Sequence, residues 1–510
     1  MRVRHTWLLM IVFFPAMAFA QQRNRYTDSV FTAFQSDTNR VYAFAQQLDF
    51  FPYNGESFTH EVSLKMHIFQ PQGDALQKRP MLICAHSGGF VIGEKEQDDM
   101  MAFCEIFAEK GYVTATIGYR LGMNYLSTVS GERAVYRGLQ DSRAAIRFIK
   151  EIAADLRVDT TNIFFLGSSA GAFIALHNAF MNRENERPQS TWAISNLPPT
   201  TDDGPDLGGF DAVAEEYKHG GQPKAIVALW GALKDTTLIA PDDSTIAVLL
   251  IHGTDDIIVP FGVGSPFGAP TLPQTYGSLP ISQRLTNLSF SHDEYFVEGK
   301  GHEFYGALNG NWFPAPNAYW DTVAVRTTAF LYRQHKPKAD FTTIVNGKNV
   351  QFNDAGSDDA MQWFWDFGDG VTSLSPNPLH TYANDGNYRV HLKVLNEIHS
   401  WDTLSVVVNI ASADVEDMSR EIPGTFVLFQ NFPNPFNPET VIGYAVKEPC
   451  HVVLKIFDLR GREVAALVDA EKQAGSYTVR FDGSGLPSGI YFYQIRMKDF
   501  VGVRKMVLLE

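Results

Sequence analysis

From about residue 60 to 335 the chain alternates short apolar runs rich in β-branched residues with longer stretches of helical period, and no other property narrows its fold as much. The runs at 60–69, 81–85, 113–118, 163–166, 225–230, 246–251 and 294–297 read as strands, and 97–110, 133–156 and 170–179 as helices. Strands separated by helices imply a mostly parallel sheet covered on both faces, an α/β fold. In such sheets reactive groups gather at the carboxyl ends of the strands, so chemistry is sought there.

Three strand ends carry it. The first is Gly167-Ser168-Ser169-Ala170-Gly171, after an apolar run and before a helix. The five-residue frame alone would arise by chance roughly 0.2 times in a chain this long, so its weight comes from the strand–turn–helix context. Glycines on both sides permit the sharp turn that exposes Ser169 at a helix N-terminus; Ser168 lacks them. The second is Cys84-Ala85-His86-Ser87-Gly88-Gly89-Phe90. Acyl transfer builds negative charge on a carbonyl oxygen, and only a glycine backbone brings N–H donors close enough to it, which makes Gly88 and Gly89 candidate donors beside the N–H of Ala170. The third pairs the loop after Leu249-Leu250-Ile251-His252-Gly253-Thr254-Asp255-Asp256 with the glycine-hinged Gly299-Lys300-Gly301-His302. Here Asp256, with Asp255 as fallback, would orient His302, and His302 would serve Ser169 as general base and then general acid.

The order Ser169, Asp256, His302, together with Gly-x-Ser-x-Gly and His-Gly-x-x-Asp-x-x-Val-Pro, resembles that of secreted carboxylesterase-like α/β-hydrolases. Ser87 replaces the first glycine of their His-Gly-Gly-Gly-Phe motif. The resemblance extends to Tyr119-Arg120-Leu121 and to Asp141-x-Arg143-Ala144-Ala145-x-Arg147; Asp141 and Arg143 are read as structural, and His86 and His252 as structural or as supports behind the reacting residues. It implies a serine carboxylic-ester hydrolase with no cofactor or metal. Two irregular segments, 181–223 and 261–282, are expected as lids or binding walls, with Trp192, Phe210, Phe261, Phe267 and Tyr276 as candidate contacts for an acyl group or a sugar.

At 510 residues the chain exceeds one core and suggests about three domains. Arg2, Arg4 and His5 before the apolar run 7–20, ending Ala18-Phe19-Ala20, form a signal peptide over 1–20. The catalytic domain is then expected at 21–335. Trp365-Asp366-Phe367-Gly368-Asp369-Gly370 and the alternating Tyr388 to Val394 resemble a PKD domain, an immunoglobulin-like sandwich, placed at 338–411. Its aspartates bring calcium to mind, but turn aspartates ordinarily bond their own backbone, and a spacer or contact module is expected. After a polar linker at 412–424, alternation at 451–457 and 477–481 describes a second small β-sandwich, a pattern shared by adhesive β-modules. With Asn431-Phe432-Pro433-Asn434-Pro435-Phe436-Asn437-Pro438, residues 425–510 resemble the C-terminal sorting domain of type IX secretion substrates. That resemblance implies the type IX machinery as partner, passage across the outer membrane, and a secreted or surface location.

A net charge of −15 without dense basic stretches argues against nucleic-acid and membrane-surface partners. No apolar segment after the signal peptide is long enough to span a bilayer. Three cysteines cannot form a disulfide framework, and a bridge between Cys84 on a strand and Cys104 on a helix is not expected. The expected substrates are extracellular esters, polysaccharide-linked or small. Alternatives are a serine peptidase of the prolyl-oligopeptidase type, for which the region before residue 60 is too short to hold a propeller, and a binding protein on an inactive hydrolase scaffold.

Overall fold

A computed structural model describes residues 24–49, 53–356, 359–411, 425–431, 434 and 436–508. The signal peptide, the 412–424 linker and residues 432, 433 and 435 of the Asn-Phe-Pro run lie outside them. The described residues fall into two compact units, one drawn from residues 1–342, 352–378 and 389–406, the other from 343–351, 379–388 and 407–510.

The first unit is built on an eight-stranded sheet. Its strands are β1 (Phe34–Leu48), β2 (Thr59–Pro71), β3 (Arg79–Ala85), β4 (Val113–Ile117), β5 (Val158–Ser168), β6 (Ala225–Leu229), β7 (Ala247–Gly253) and a further strand at His292–Val297. The spatial order is β1-β2-β4-β3-β5-β6-β7 with His292–Val297 last. β1 and β2 pair antiparallel, β2 meets β4 antiparallel, and the remaining pairs are parallel. Side chains alternate between two cores along the central strands: Ile163 and Phe165 of β5 enter one, Phe164 and Leu166 the other. Val248 and Leu250 of β7 are likewise separated from Leu249 and Ile251. Strands buried on both faces read as continuous apolar runs, which is why they stand out in the sequence.

Helices α1 (Asp98–Glu109), α2 (Thr128–Glu151), α3 (Ala153–Leu156) and α4 (Ala170–Phe180) follow the expected pattern. Two others, α5 (Ser278–Asn287) and α6 (Ala318–Arg333), were not expected; α5 takes the end of the 261–282 segment. α6 is rich in Thr, Val and aromatics, weak helix formers, yet Trp320, Val323, Phe330 and Leu331 line one buried stripe, and Asn317 caps it by accepting from the Tyr319 N–H at 2.9 Å. β1 was missed because register shifts near Asp37 and Val41 scramble its alternation at the sheet edge.

The irregular 181–223 segment is pinned to α2 by buried polar groups. Arg133 donates to the carbonyls of Ser190 at 2.9 Å and Pro205 at 2.7 Å, and Gln140 to those of Leu207 and Gly209, both at 2.8 Å. Loop carbonyls that no ladder satisfies thereby find donors. Glu56 neutralises Arg133 and Arg137 at 3.0 and 2.8 Å. Asp141 pairs with Arg120, accepting its Nε at 2.8 Å, and takes no part in the site described below.

Beyond residue 335 the described strands pair antiparallel. Gln362–Asp366 lies between Thr372–Ser373 and Gly386–Leu395, with Trp401–Ile410 outermost. Asp366 and Asp369 accept from the backbone N–H groups of Gly368 and Val371 at 2.9 and 3.0 Å, as turn aspartates do. Near the C-terminus, Cys450–Phe457 pairs with Glu463–Lys472 and Gly489–Met497, and Glu439–Val446 pairs with Gly475–Asp482. Ile442, Val452, Leu454, Ile456, Tyr493 and Ile495 form the core of these C-terminal strands.

Candidate active site

β5 ends in a turn that only small residues allow. A Cβ on Gly171 would stand 2.1 Å from the carbonyl oxygen of Ala85, and one on Gly167 would stand 2.0 Å from that of Gly171. The helix that starts at Ala170 therefore packs directly onto the backbone of β3. Ser169 sits in the bend at φ 53°, ψ −114°, a sparsely populated conformation that costs on the order of 1–3 kcal/mol. Its N–H donates to Leu229 at 3.0 Å and its carbonyl accepts from Ala172 and Phe173, so both sides of the turn are anchored.

Ser169 Oγ lies 2.9 Å from His302 Nε2, and His302 Nδ1 lies 2.7 Å from Asp256 Oδ2. An ionised carboxylate can only accept, so Nδ1 carries the proton toward Asp256 and Nε2 is left to accept from the serine hydroxyl. Asp256 is buried, and its other oxygen accepts from the N–H groups of Ile258 and Val259 at 2.8 and 2.9 Å. Burial alone would raise the Asp256 pKa. The hydrogen bonds from His252 and His302, with the positive charge of those rings when protonated, outweigh burial and hold the carboxyl below the usual carboxylate range. Asp255, the fallback, is exposed, and its carboxylate accepts from the neighbouring Thr254 Oγ1.

His252 and His86 do not reach Ser169. His252 Nε2 donates to Val259 O at 3.0 Å beside Asp256 Oδ2 at 3.2 Å, and its Nδ1 accepts from Ser278 Oγ at 2.8 Å. His86 stacks on Tyr119, and burial depresses its pKa to about 4, so it is neutral.

Gly89 and Ala170 line the same cavity as Ser169, whose space, counting its open mouth, is ≈ 470 Å³. Gly88, at φ 125°, is packed against the carbonyl of Ile92 and is not among the lining residues. Of the five candidate aromatic contacts only Phe267 lines this cavity; Phe210 is in the core, and Phe261 packs on His252 and Phe296. The expectation that 261–282 borders the cleft holds for Pro266 to Thr275.

Two supporting residues had no signal in the sequence. Gln97, just before α1, is buried, and its Oε1 accepts from both the N–H and the Oγ of Ser87 at 3.0 and 3.1 Å, which braces the glycine loop. Trp230, after β6, lies under the His302 loop with its ring edge against Phe304 and Tyr305, and its Nε1 donates to Ser168 at 3.0 Å. All three cysteines are free and buried.

Comparison with known proteins bears on three stretches. Residues 66–267 match the BD-FAE family, 334–410 the PKD domain, and 430–509 the secretion system C-terminal sorting domain. The first stretch holds Ser169 and Asp256 and stops short of His302. The chain is 32% identical over 142 residues to gut esterase 1 of Caenorhabditis briggsae, covering 28% of this chain and 24% of that protein. It is 28% identical over 130 residues to juvenile hormone esterase of Tribolium castaneum, covering 25% and 22%. The chain thus spans about a quarter of the length of the curated relatives it matches. Among solved structures, esterase 2 of Thermogutta terrifontis phosphorylated by paraoxon is 18% identical with a TM-score of 0.37, covering 61% of this chain and 98% of that one.

Proposed function

We propose that this chain, which carries an α/β-hydrolase domain followed by a PKD domain and a secretion-system C-terminal sorting domain, is an exported serine carboxylic-ester hydrolase that works through an acyl-enzyme. The observation that carries the reading is the continuous path Ser169 Oγ, His302, Asp256, which opens onto an apolar cavity at the N-terminus of α4.

In this reading His302 Nε2 takes the hydroxyl proton as Ser169 Oγ attacks the ester carbonyl. Asp256 holds the tautomer and stabilises the imidazolium without accepting its proton. The N–H groups of Ala170, Gly89 and Gly88 are assigned to the developing oxyanion. Collapse expels the alcohol, protonated by His302, and leaves Ser169 acylated; water activated by the same histidine then releases the acid and restores the serine.

We further assign 21–335 to catalysis, 338–411 to the PKD module and 425–510 to sorting, with type IX secretion as the export route and extracellular esters, polysaccharide-linked or small, as substrates. Among the described residues no helix is long and apolar enough to cross a membrane. The test is Ser169→Ala with a short-chain p-nitrophenyl ester and a fluorophosphonate probe. Loss of both turnover and labelling supports the assignment; undiminished turnover refutes it.

A further inference from the structure

A second cavity, whose space counting its open mouth is ≈ 400 Å³, adjoins the one at Ser169 and shares Val135, Phe173, Pro273 and Thr275 with it. Together they follow the groove between α2 and α4. From α4 and the residue that follows it the lining residues are Ala170, Phe173, His177 and Met181; from α2 they are Gly131, Glu132, Val135, Tyr136 and Leu139. Each set is one helical face, repeating every three or four residues, and both run in the same direction away from Ser169. The groove is roofed near Ser169 by Phe267 and Leu272 and further along by Pro273.

The polar side chains of the far cavity are already engaged by the protein. Lys234 pairs with Glu132 at 2.8 Å, and Tyr136 donates to Gly208 O at 2.9 Å. Thr275 donates to Gly264 O at 3.1 Å, while His177 donates to Phe173 O and accepts from the Lys234 N–H. These groups already have partners within the protein, so a hydroxylated acyl group would give up its water there for little return, whereas a hydrocarbon chain has no polar group to desolvate. His177 lies two turns along α4 from Ser169, about 12 Å by the helical rise. An extended hydrocarbon advances ~1.3 Å per carbon, so eight carbons reach about 10 Å.

We infer that the substrate's acid part is a straight medium-chain acyl group of about eight carbons, laid along the groove between α2 and α4 with its carbonyl at Ser169. The inference rests on the ester-hydrolase reading and adds the acyl group to it.

The experiment is kcat/KM of the full chain for p-nitrophenyl acetate, butyrate, octanoate and palmitate, together with methyl ferulate. Burial contributes up to about fourfold per methylene, so the octanoate is expected to exceed the acetate by about 30-fold or more and to exceed the palmitate. Leu139→Trp and Met181→Trp, which fill the far end, should lower the octanoate-to-acetate ratio at least tenfold. Inhibition of the unmodified protein by alkylboronic acids from methyl to octyl gives the same reading without any variant, and should tighten with chain length. Hydrolysis of acetate as fast as octanoate, faster turnover of the ferulate, or boronic acids that do not tighten would overturn the acyl assignment alone. Turnover of no ester, with no fluorophosphonate labelling of Ser169, overturns the hydrolase reading and this inference with it.

Discussion

Asp256 Oδ2 receives His302 Nδ1 at 2.7 Å while His252 Nε2 stands 3.2 Å from the same oxygen, so one buried carboxylate faces two imidazoles. Its second oxygen is held by two backbone N–H groups, which leaves the carboxylate no freedom to turn away from His302.

Asp256→Asn keeps the shape but offers His302 an amide in place of the carboxylate. If the proposed roles hold, kcat on p-nitrophenyl acetate falls by about 10³–10⁴. Asp255→Asn, at an exposed carboxylate on the same loop, stays within about twofold. Steady-state kinetics of the two variants side by side make the comparison.

Gln97→Leu removes the acceptor of the Ser87 N–H and hydroxyl and leaves both buried without that partner. The glycine loop that lines the cavity at Gly89 loses its brace, an effect worth on the order of 1–3 kcal/mol. The expected outcome is a fall in kcat of about tenfold with KM changed by less than twofold, because the loop is assigned to the transition state and not to the bound ester. A change confined to KM would count against that role.

Asp99, at the start of α1, is buried and accepts from Tyr305 Oη at 2.7 Å. Burial, with smaller contributions from the nearby Glu303 and Asp98, raises its pKa to about 8, against the lowering effect of the Tyr305 hydrogen bond. The folded value therefore lies above the unfolded one. The unfolded chain releases this proton near pH 4 and the folded chain only near pH 8, so between those values stability falls as pH rises, by about 1.4 kcal/mol per unit at most. Asp99→Asn should flatten this slope, with urea midpoints at pH 5 and pH 8 closer together than in the unmodified protein.

Much of this molecule is legible along the chain, because each legible feature is local. Strands buried on both faces are apolar without interruption, and the turn at Ser169 needs glycine where a Cβ would strike the backbone. The same locality explains what escaped. α6 reads poorly because its Thr and Val are weak helix formers, and its stripe is stabilised by packing. β1 loses its alternation at its bulges.

What belongs to the sequence by itself is the set of proposed reacting groups and their order: Ser169 in its glycine-flanked turn, an acid after β7, and His302 on a hinged loop. The sequence favoured Asp256 and kept Asp255 as fallback; the tertiary structure turns Asp256 inward to His302 and leaves Asp255 exposed. It also recruited Gln97, ten residues from Ser87, and aligned faces of α2 and α4 into one apolar groove. Hydrogen bonds and cavities form over a few ångströms of space, and the packing of helices on the sheet, not spacing along the chain, sets those distances.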